Sequence, residues 1–488
     1  MKNPRIYEIH TYAWLQGLGV RCGGPVTLGS VPDAELDAIA ELGADVVWLM
    51  GVWERSPAGR RVALSHPGLL ADYARALPDL RDEDVVGSPY SIRRYSVDPR
   101  IGTRDELASI RRRLAARGMG LLLDFVPNHV AIDHPWLAEA PECLLRGTEE
   151  DLDRRPEMFF RGPGQRIFAH GRDPYFPPWT DTAQLDAFSG ALRERVVETL
   201  LDIASQCDGV RCDMAMLMTR DVFSRTWKGL AGSAPEEELW RAVIPPVKRA
   251  HPKFLFLAEV YWDMEWEMMR QGFDLAYDKR LYDRMRSGPT DAIRGHLRAD
   301  MAYQSRLVRF IENHDEPRAR TEFGPERSRA AAVLALTLPG AKLTHEGQEL
   351  GHRIKLPVQL ARRPPEDDDP TLRSLHRTLL SEVATPVYRE GTFTLRDPTP
   401  AWNAIDEHQN LIAYTYRHDN ERRLVVVNWS DSPGQARIPM PDMNLAGKTW
   451  HLHDALNSAE YDRSGDEMAT IGLHVVLGPW SAHVFSLN

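Results

Sequence analysis

Four short segments set acidic side chains among neighbours suited to chemistry on a polar substrate. LLLDFVPNHV (121–130) holds Asp124, Asn128 and His129, and DGVRCDMAM (208–216) holds Arg211 and Asp213. FLFLAEVYW (254–262) reaches Glu259 at the end of an apolar run, and RFIENHDEPR (309–318) holds His314 and Asp315. Side chains alternate along a strand, so Arg211 and Asp213 share one face while Cys212 points to the other. A guanidinium two residues before a carboxylate favours its ionised form, as a nucleophile requires. Glu259 follows FLFLA, and apolar surroundings beside a second anion favour a proton donor. Two carboxyls in such different settings, about 5–5.5 Å apart, are the pair that cleaves a glycosidic bond with retention. Asp315 supplies a third carboxylate for sugar hydroxyls. Blander readings use the same residues: Arg-x-Asp as a structural ion pair, Glu259 as a helix cap, and the Asp/His pairs as ligands of a metal-centred hydrolase.

Such a site needs a frame that delivers all four segments to one place. Through about residue 385 short apolar runs alternate with amphipathic helical stretches, the rhythm of a parallel sheet. Eight candidate strands emerge: Arg5–Tyr12, Asp45–Met50, Gly120–Val126, Gly209–Asp213, Phe254–Glu259, Phe273–Tyr277, Leu307–Glu312 and Lys342–His345. Eight points to a closed (β/α)8 barrel rather than an open sheet, and the four segments then lie at carboxyl ends of strands, where barrel sites are built. Thr103–Arg117 reads as a helix with Thr103 and Glu106 in capping-box spacing and a stop before Gly118, and Ala191–Ser205 as another with one apolar stripe. The Pro-, Gly- and aromatic-rich stretch 128–189 is far longer than an ordinary βα connection and reads as an insertion after strand three. Beyond residue 388 short alternating strands such as RRLVVVNWS and AHVFSLN suggest an antiparallel β-sandwich. The expected division is therefore a barrel from 1–127 and 190–387, an insertion at 128–189 and a C-terminal domain at 388–488.

Composition narrows the partners. A net charge of −10 over 488 residues argues against nucleic acid, and no run approaches the roughly 20 apolar residues of a membrane span. The start of the chain reads as the first strand rather than a secretory signal. Four cysteines, Cys22, Cys143, Cys207 and Cys212, show neither disulfide-framework nor zinc spacing, so a cytoplasmic protein with reduced thiols is expected.

The order DFVPNH, GVRCD, LAEV and ENHD resembles the four signature regions of glycoside hydrolase family 13, the α-amylase family. GSPYSIRRYSVDPRIGTRDEL (87–107) and LTHEGQELG (343–351) are similar to the family's flanking stretches, so the resemblance spans residues 5 to about 350. It implies Asp213 as nucleophile, Glu259 as acid/base and Asp315 as transition-state stabiliser. It further implies that Arg211 orients the nucleophile, that His129 and His314 hydrogen-bond the sugar in the −1 subsite, and that Tyr90 stacks beneath it. Asp124 would support Arg211 and His129 from behind. The chain departs from the family at Met216 and Leu217, where α-amylases place Lys-His, and at Gln184, where an Asp usually ligates a structural calcium. No cofactor and no metal are therefore expected, although Asn128 and carbonyl oxygens lie at that position. Ser91 after Tyr90 departs from the Asp of exo-acting α-glucosidases, and Met214 matches neither the α-1,4 nor the α-1,6 pattern. The expected activity is retaining hydrolysis of an α-glucan or malto-oligosaccharide. The alternative is a transglycosylase or isomerase of trehalose synthase or maltosyltransferase type on the same site. A non-catalytic sugar-binding relative would have lost a catalytic carboxylate, and none is missing.

Overall fold

A computed structural model of the chain describes residues 2–402 and 406–488; residues 403–405 of the expected C-terminal domain lie outside the described ones. Eight parallel strands form a closed barrel: β1 (Arg5–His10), β2 (Val46–Met50), β3 (Gly120–Phe125), β4 (Gly209–Cys212), β5 (Leu255–Ala258), β6 (Leu275–Tyr277), β7 (Leu307–Arg309) and β8 (Ala341–His345). They neighbour one another in chain order, β8 returning to β1. The apolar runs β2, β3 and β4 are buried along almost their whole length, as parallel strands covered on both faces must be. β1 stops at His10 and not at Tyr12. The His10 ring accepts the Ala13 N–H at 3.3 Å and starts a helix, Thr11–Cys22, without a connecting loop.

The chain falls into two compact units. The larger comprises residues 7–277 and 355–365 and includes β2 to β6. Its strands are in step where the acidic segments emerge. Arg211 of β4 lies beside Asp124 of β3 on one side and Leu257 of β5 on the other. A helix, Arg104–Ala115, starts at Thr103, whose hydroxyl accepts the Glu106 N–H, and gives way to Gly118 at φ 78°. The Glu106 carboxylate accepts from the Thr27 hydroxyl at 2.6 Å, which ties the helix to the loop before β2. A second helix, Gly190–Gln206, is capped by Ser189. The stretch 128–189 contains two short antiparallel ribbons, His129–Ala131 with Thr182–Gln184 and Phe159–Arg161 with Ile167–Ala169. Residues 355–365, distant in sequence, belong to this unit: Arg362 ion-pairs Asp79 and Asp84, and the Val86 N–H reaches the Gln359 carbonyl.

The second unit comprises residues 1–6, 278–354 and 366–488. Its C-terminal strands are β9 (Thr392–Arg396), β10 (Leu411–His418), β11 (Glu421–Asn428), β12 (Gly434–Ile438), β13 (Thr449–Asp454), β14 (Ala459–Ser464), β15 (Leu473–Leu477) and β16 (Ala482–Leu487). Six form an antiparallel sheet in the order β9-β10-β11-β16-β13-β14, and β12 pairs with β15 in a second. Leu411, Leu424 and Val426 from the large sheet share one core with Ile438, Leu473 and Val475 from the small one. Period-two alternation explains this: one face of each sheet is apolar, and the two faces cover each other. Among the described residues no helix is long and apolar enough to cross a membrane.

Candidate active site

Asp213 and Glu259 each stand one residue beyond a barrel strand, and backbone bonds fix both. The Asp213 N–H donates to the Phe125 carbonyl at 2.8 Å, the Glu259 N–H to the Cys212 carbonyl at 3.0 Å, and the Ala215 N–H to the Glu259 carbonyl at 2.9 Å. The parallel ladder thus runs on past the strand ends, and the two carboxylates come from adjacent strands. Arg211 links them. Its side chain is wholly buried, one terminal nitrogen lying 2.6 Å from the Asp213 carboxylate and the other 2.7 Å from that of Glu259. Burial opposes the charge on Arg211, but Glu259, Tyr90, Tyr277 and Asp213 more than reverse this and hold its pKa well above the ordinary value. Three aromatic faces surround the guanidinium, Tyr90 at 5.2 Å, Trp48 at 5.4 Å and Tyr277 at 5.8 Å.

The surroundings of Glu259 differ from the apolar ones that FLFLA suggested. Besides Arg211, its carboxylate accepts the Met214 N–H at 2.6 Å and the Tyr261 hydroxyl at 2.6 Å. Met214 reaches it from a left-handed backbone conformation (φ 38°, ψ 51°), one that a side-chain-bearing residue rarely adopts and that clusters at functional sites. Tyr261, two residues beyond Glu259, bends back to it. The alternation rule that paired Arg211 with Asp213 also applies to Tyr261 and would have found it.

The remaining expected residues are placed as follows. The Asp124 carboxylate accepts the Trp48 indole N–H at 3.2 Å and the Gly51 N–H at 2.8 Å, securing the exit of β2 beside the site. His129 is buried, and desolvation holds its pKa below the usual imidazole range, against the charge of Asp213 and a hydrogen bond to the Tyr90 backbone. Its Nδ1 lies 3.3 Å from the Asn128 amide nitrogen, and its ring stands 5.2 Å from that of Trp179. Larger unit and catalytic candidates therefore coincide for Asp213, Glu259, Arg211, Tyr90, His129, Asn128 and Asp124. Asp315 and His314 belong to the second unit, where His314 Nε2 lies 2.9 Å from the Asp315 carboxylate. The Asn313 side chain accepts the N–H groups of Asp315 and Glu316, both at 2.9 Å, and this turn leaves the Asp315 side chain 42% exposed. Behind it Glu312 is buried and bound by Arg318 at 2.6 Å.

Asp133 accepts the Ser56 hydroxyl at 2.6 Å and the Ala58 N–H at 3.1 Å at the start of the helix Pro57–Ala63. Trp262 is 37% exposed and meets the Tyr175 ring edge-on at 5.1 Å. Cys212 is fully buried, as a packing residue is, and all four cysteines are free thiols.

Comparison with known proteins bears on the family and the fold. The family model for the α-amylase catalytic domain matches residues 33–174. The chain is 25% identical over 453 residues to α-amylase MalA of Haloarcula japonica, covering 89% of this chain and 56% of that relative. It is 26% identical over 460 residues to α-1,4-glucan:maltose-1-phosphate maltosyltransferase 1 of Streptomyces coelicolor, covering 87% and 59%. The chain thus spans little more than half the length of these curated relatives. The solved structure of the maltogenic α-amylase AmyB from Thermotoga neapolitana superposes with a TM-score of 0.70 at 21% identity, covering 100% of this chain and 99% of that one, and this likeness shows the barrel fold. With its four acidic segments in order on that barrel, the chain is similar to the α-amylase family, glycoside hydrolase family 13.

Proposed function

We propose that the protein is a retaining glycosidase acting on α-glucans or malto-oligosaccharides, with Asp213 as nucleophile and Glu259 as acid/base. The observation that carries this reading is the buried guanidinium of Arg211 shared by two carboxylates on adjacent strands. When Glu259 carries a proton, Arg211 is left to Asp213, which keeps the nucleophile charged while the acid is loaded. Glu259 then protonates the glycosidic oxygen as Asp213 attacks the anomeric carbon. Water, deprotonated by Glu259, releases the sugar from the covalent intermediate. Tyr90 and His129 contact the sugar at the cleaved bond; for His314 and Asp315 the family resemblance implies a sugar contact and the transition-state stabiliser. The oligosaccharide is the partner, and the free thiols suit a reducing, cytoplasmic setting.

A second reading, transfer or isomerisation through the same intermediate, is favoured by the resemblance to a maltosyltransferase. Only the access of water or of a sugar acceptor separates the two. Incubation with maltose, maltotriose and trehalose, read by chromatography, decides: free glucose without transfer products supports hydrolysis, and longer or re-linked sugars support transfer. Asp213→Ala is expected to abolish turnover of whichever substrate is accepted, and full activity in that variant would sink the assignment.

A further inference from the structure

The structural calcium that the family resemblance implies would fall where the insertion leaves the barrel, at Asn128 and the ribbon containing Gln184. Three oxygens converge there: the Asn128 backbone carbonyl, the Asn128 side-chain carbonyl and the Leu185 carbonyl. The Gln184 side-chain nitrogen lies 2.8, 3.0 and 2.9 Å from them respectively. These are N–H···O distances, longer than the 2.3–2.6 Å of calcium to oxygen. The amide orientation is fixed by its other end, where Gln184 Oε1 accepts the Arg172 N–H at 3.4 Å. Turned over, it would set one oxygen against three. Gln184 and Asn128 are both buried, so the acceptors must be satisfied from within. A calcium site also uses carboxylates, and the nearest in sequence, Asp186, accepts the Phe188 N–H at 3.0 Å. The donor set does not fit the metal.

We infer that the Gln184 amide fills the position of a bridging cation, so that the insertion is clamped to the barrel loop without calcium. The two hydrogens of one NH2 group serve three oxygens, one shared, and join β-ribbon residue 184 to the loop residue 128 that follows β3. The clamp also extends to the active site. With Asn128 Oδ1 engaged by Gln184, the other end of that amide faces His129 Nδ1 at 3.3 Å. The inference is independent of which glycoside is cut.

Thermal unfolding of the full chain, with excess EDTA or with millimolar calcium chloride, tests it alongside metal analysis of the purified protein. The expected result is one midpoint under both conditions and no stoichiometric calcium. Gln184→Ala should lower the midpoint by several degrees, equally with chelator and with calcium. Gln184→Glu, which sets a carboxylate among the same oxygens, should gain a midpoint that rises with calcium and falls with EDTA. A wild-type midpoint that drops on chelation, with one calcium per chain, overturns the inference. So does an unchanged midpoint in Gln184→Ala, or a Gln184→Glu variant indifferent to calcium. Should Gln184→Ala not fold, the wild-type chelation experiment still decides.

Discussion

Replacing Arg211 by methionine removes the only positive charge described between the Asp213 and Glu259 carboxylates while keeping an apolar chain among Trp48, Tyr90 and Tyr277. Both carboxylates are nearly buried, at 7% and 3% exposure, so neither regains much hydration when its partner is lost. Breaking a buried ion pair from one side costs about 3–5 kcal/mol, because the charge left behind is uncompensated. Here two are left behind, so the upper part of that range applies, and at about 2 °C per kcal/mol for a large domain the midpoint should fall by about 8–10 °C. The decisive comparison is the triple variant Arg211→Met, Asp213→Asn, Glu259→Gln, followed by thermal and urea unfolding. With all three charges gone the penalty has no source, and most of the lost stability should return despite three substitutions. A single variant that loses less than about 1 kcal/mol, or a triple variant no more stable than the single one, would refute the claim that one guanidinium compensates both acids.

Three further outcomes follow from the geometry. Burial raises the Asp181 carboxyl to about 6 from its ordinary 3.8, so the folded state holds a proton that the unfolded chain releases. Its contribution is complete below pH 4 and is lost as pH rises through 6. Asp181→Asn should therefore match wild type near pH 4 and exceed it near pH 8 by up to about 3 kcal/mol in denaturant unfolding. In Gly209→Ala the new Cβ would lie 2.6 Å from Leu255 Cβ and 2.7 Å from the Leu255 carbonyl oxygen, prising β4 from β5 at a cost of about 1–3 kcal/mol that a lowered melting midpoint would report. Tyr261→Phe removes one donor from Glu259, so kcat/KM should fall about tenfold while the melting midpoint changes little; unaltered kinetics would mean the hydroxyl plays no part in the reaction.

The barrel was legible because its strands carry their signal locally: β2, β3 and β5 are largely apolar runs, and Asp124 and Glu259 mark the carboxyl ends of β3 and β5. The insertion and the C-terminal sheets were legible for similar reasons, through an overlong connection and a change to period-two alternation. The surroundings of Glu259 were not. FLFLA describes the flanks of its own strand, whereas the partners of Glu259 are the second terminal nitrogen of Arg211, a backbone N–H released by the unusual conformation of Met214, and a hydroxyl folded back from Tyr261. None of these is a property of residues 254–258. Trp48 and Tyr277 read simply as core, and their approach to Arg211 depends on barrel curvature, which no local pattern encodes.

The strap formed by residues 355–365 governs when the larger unit can be completed during synthesis. Asp79 and Asp84 find Arg362 only 278 or more residues later, so a nascent chain that already carries Asp213 and Glu259 still lacks that ion pair. At ribosomal rates of about 5–20 residues per second, the wait between residue 277 and the strap is on the order of 5–15 s. Over that interval the edge at residues 79–86 is available to a chaperone or to another nascent chain, which makes the arrival of Arg362 a late, vectorial step in maturation.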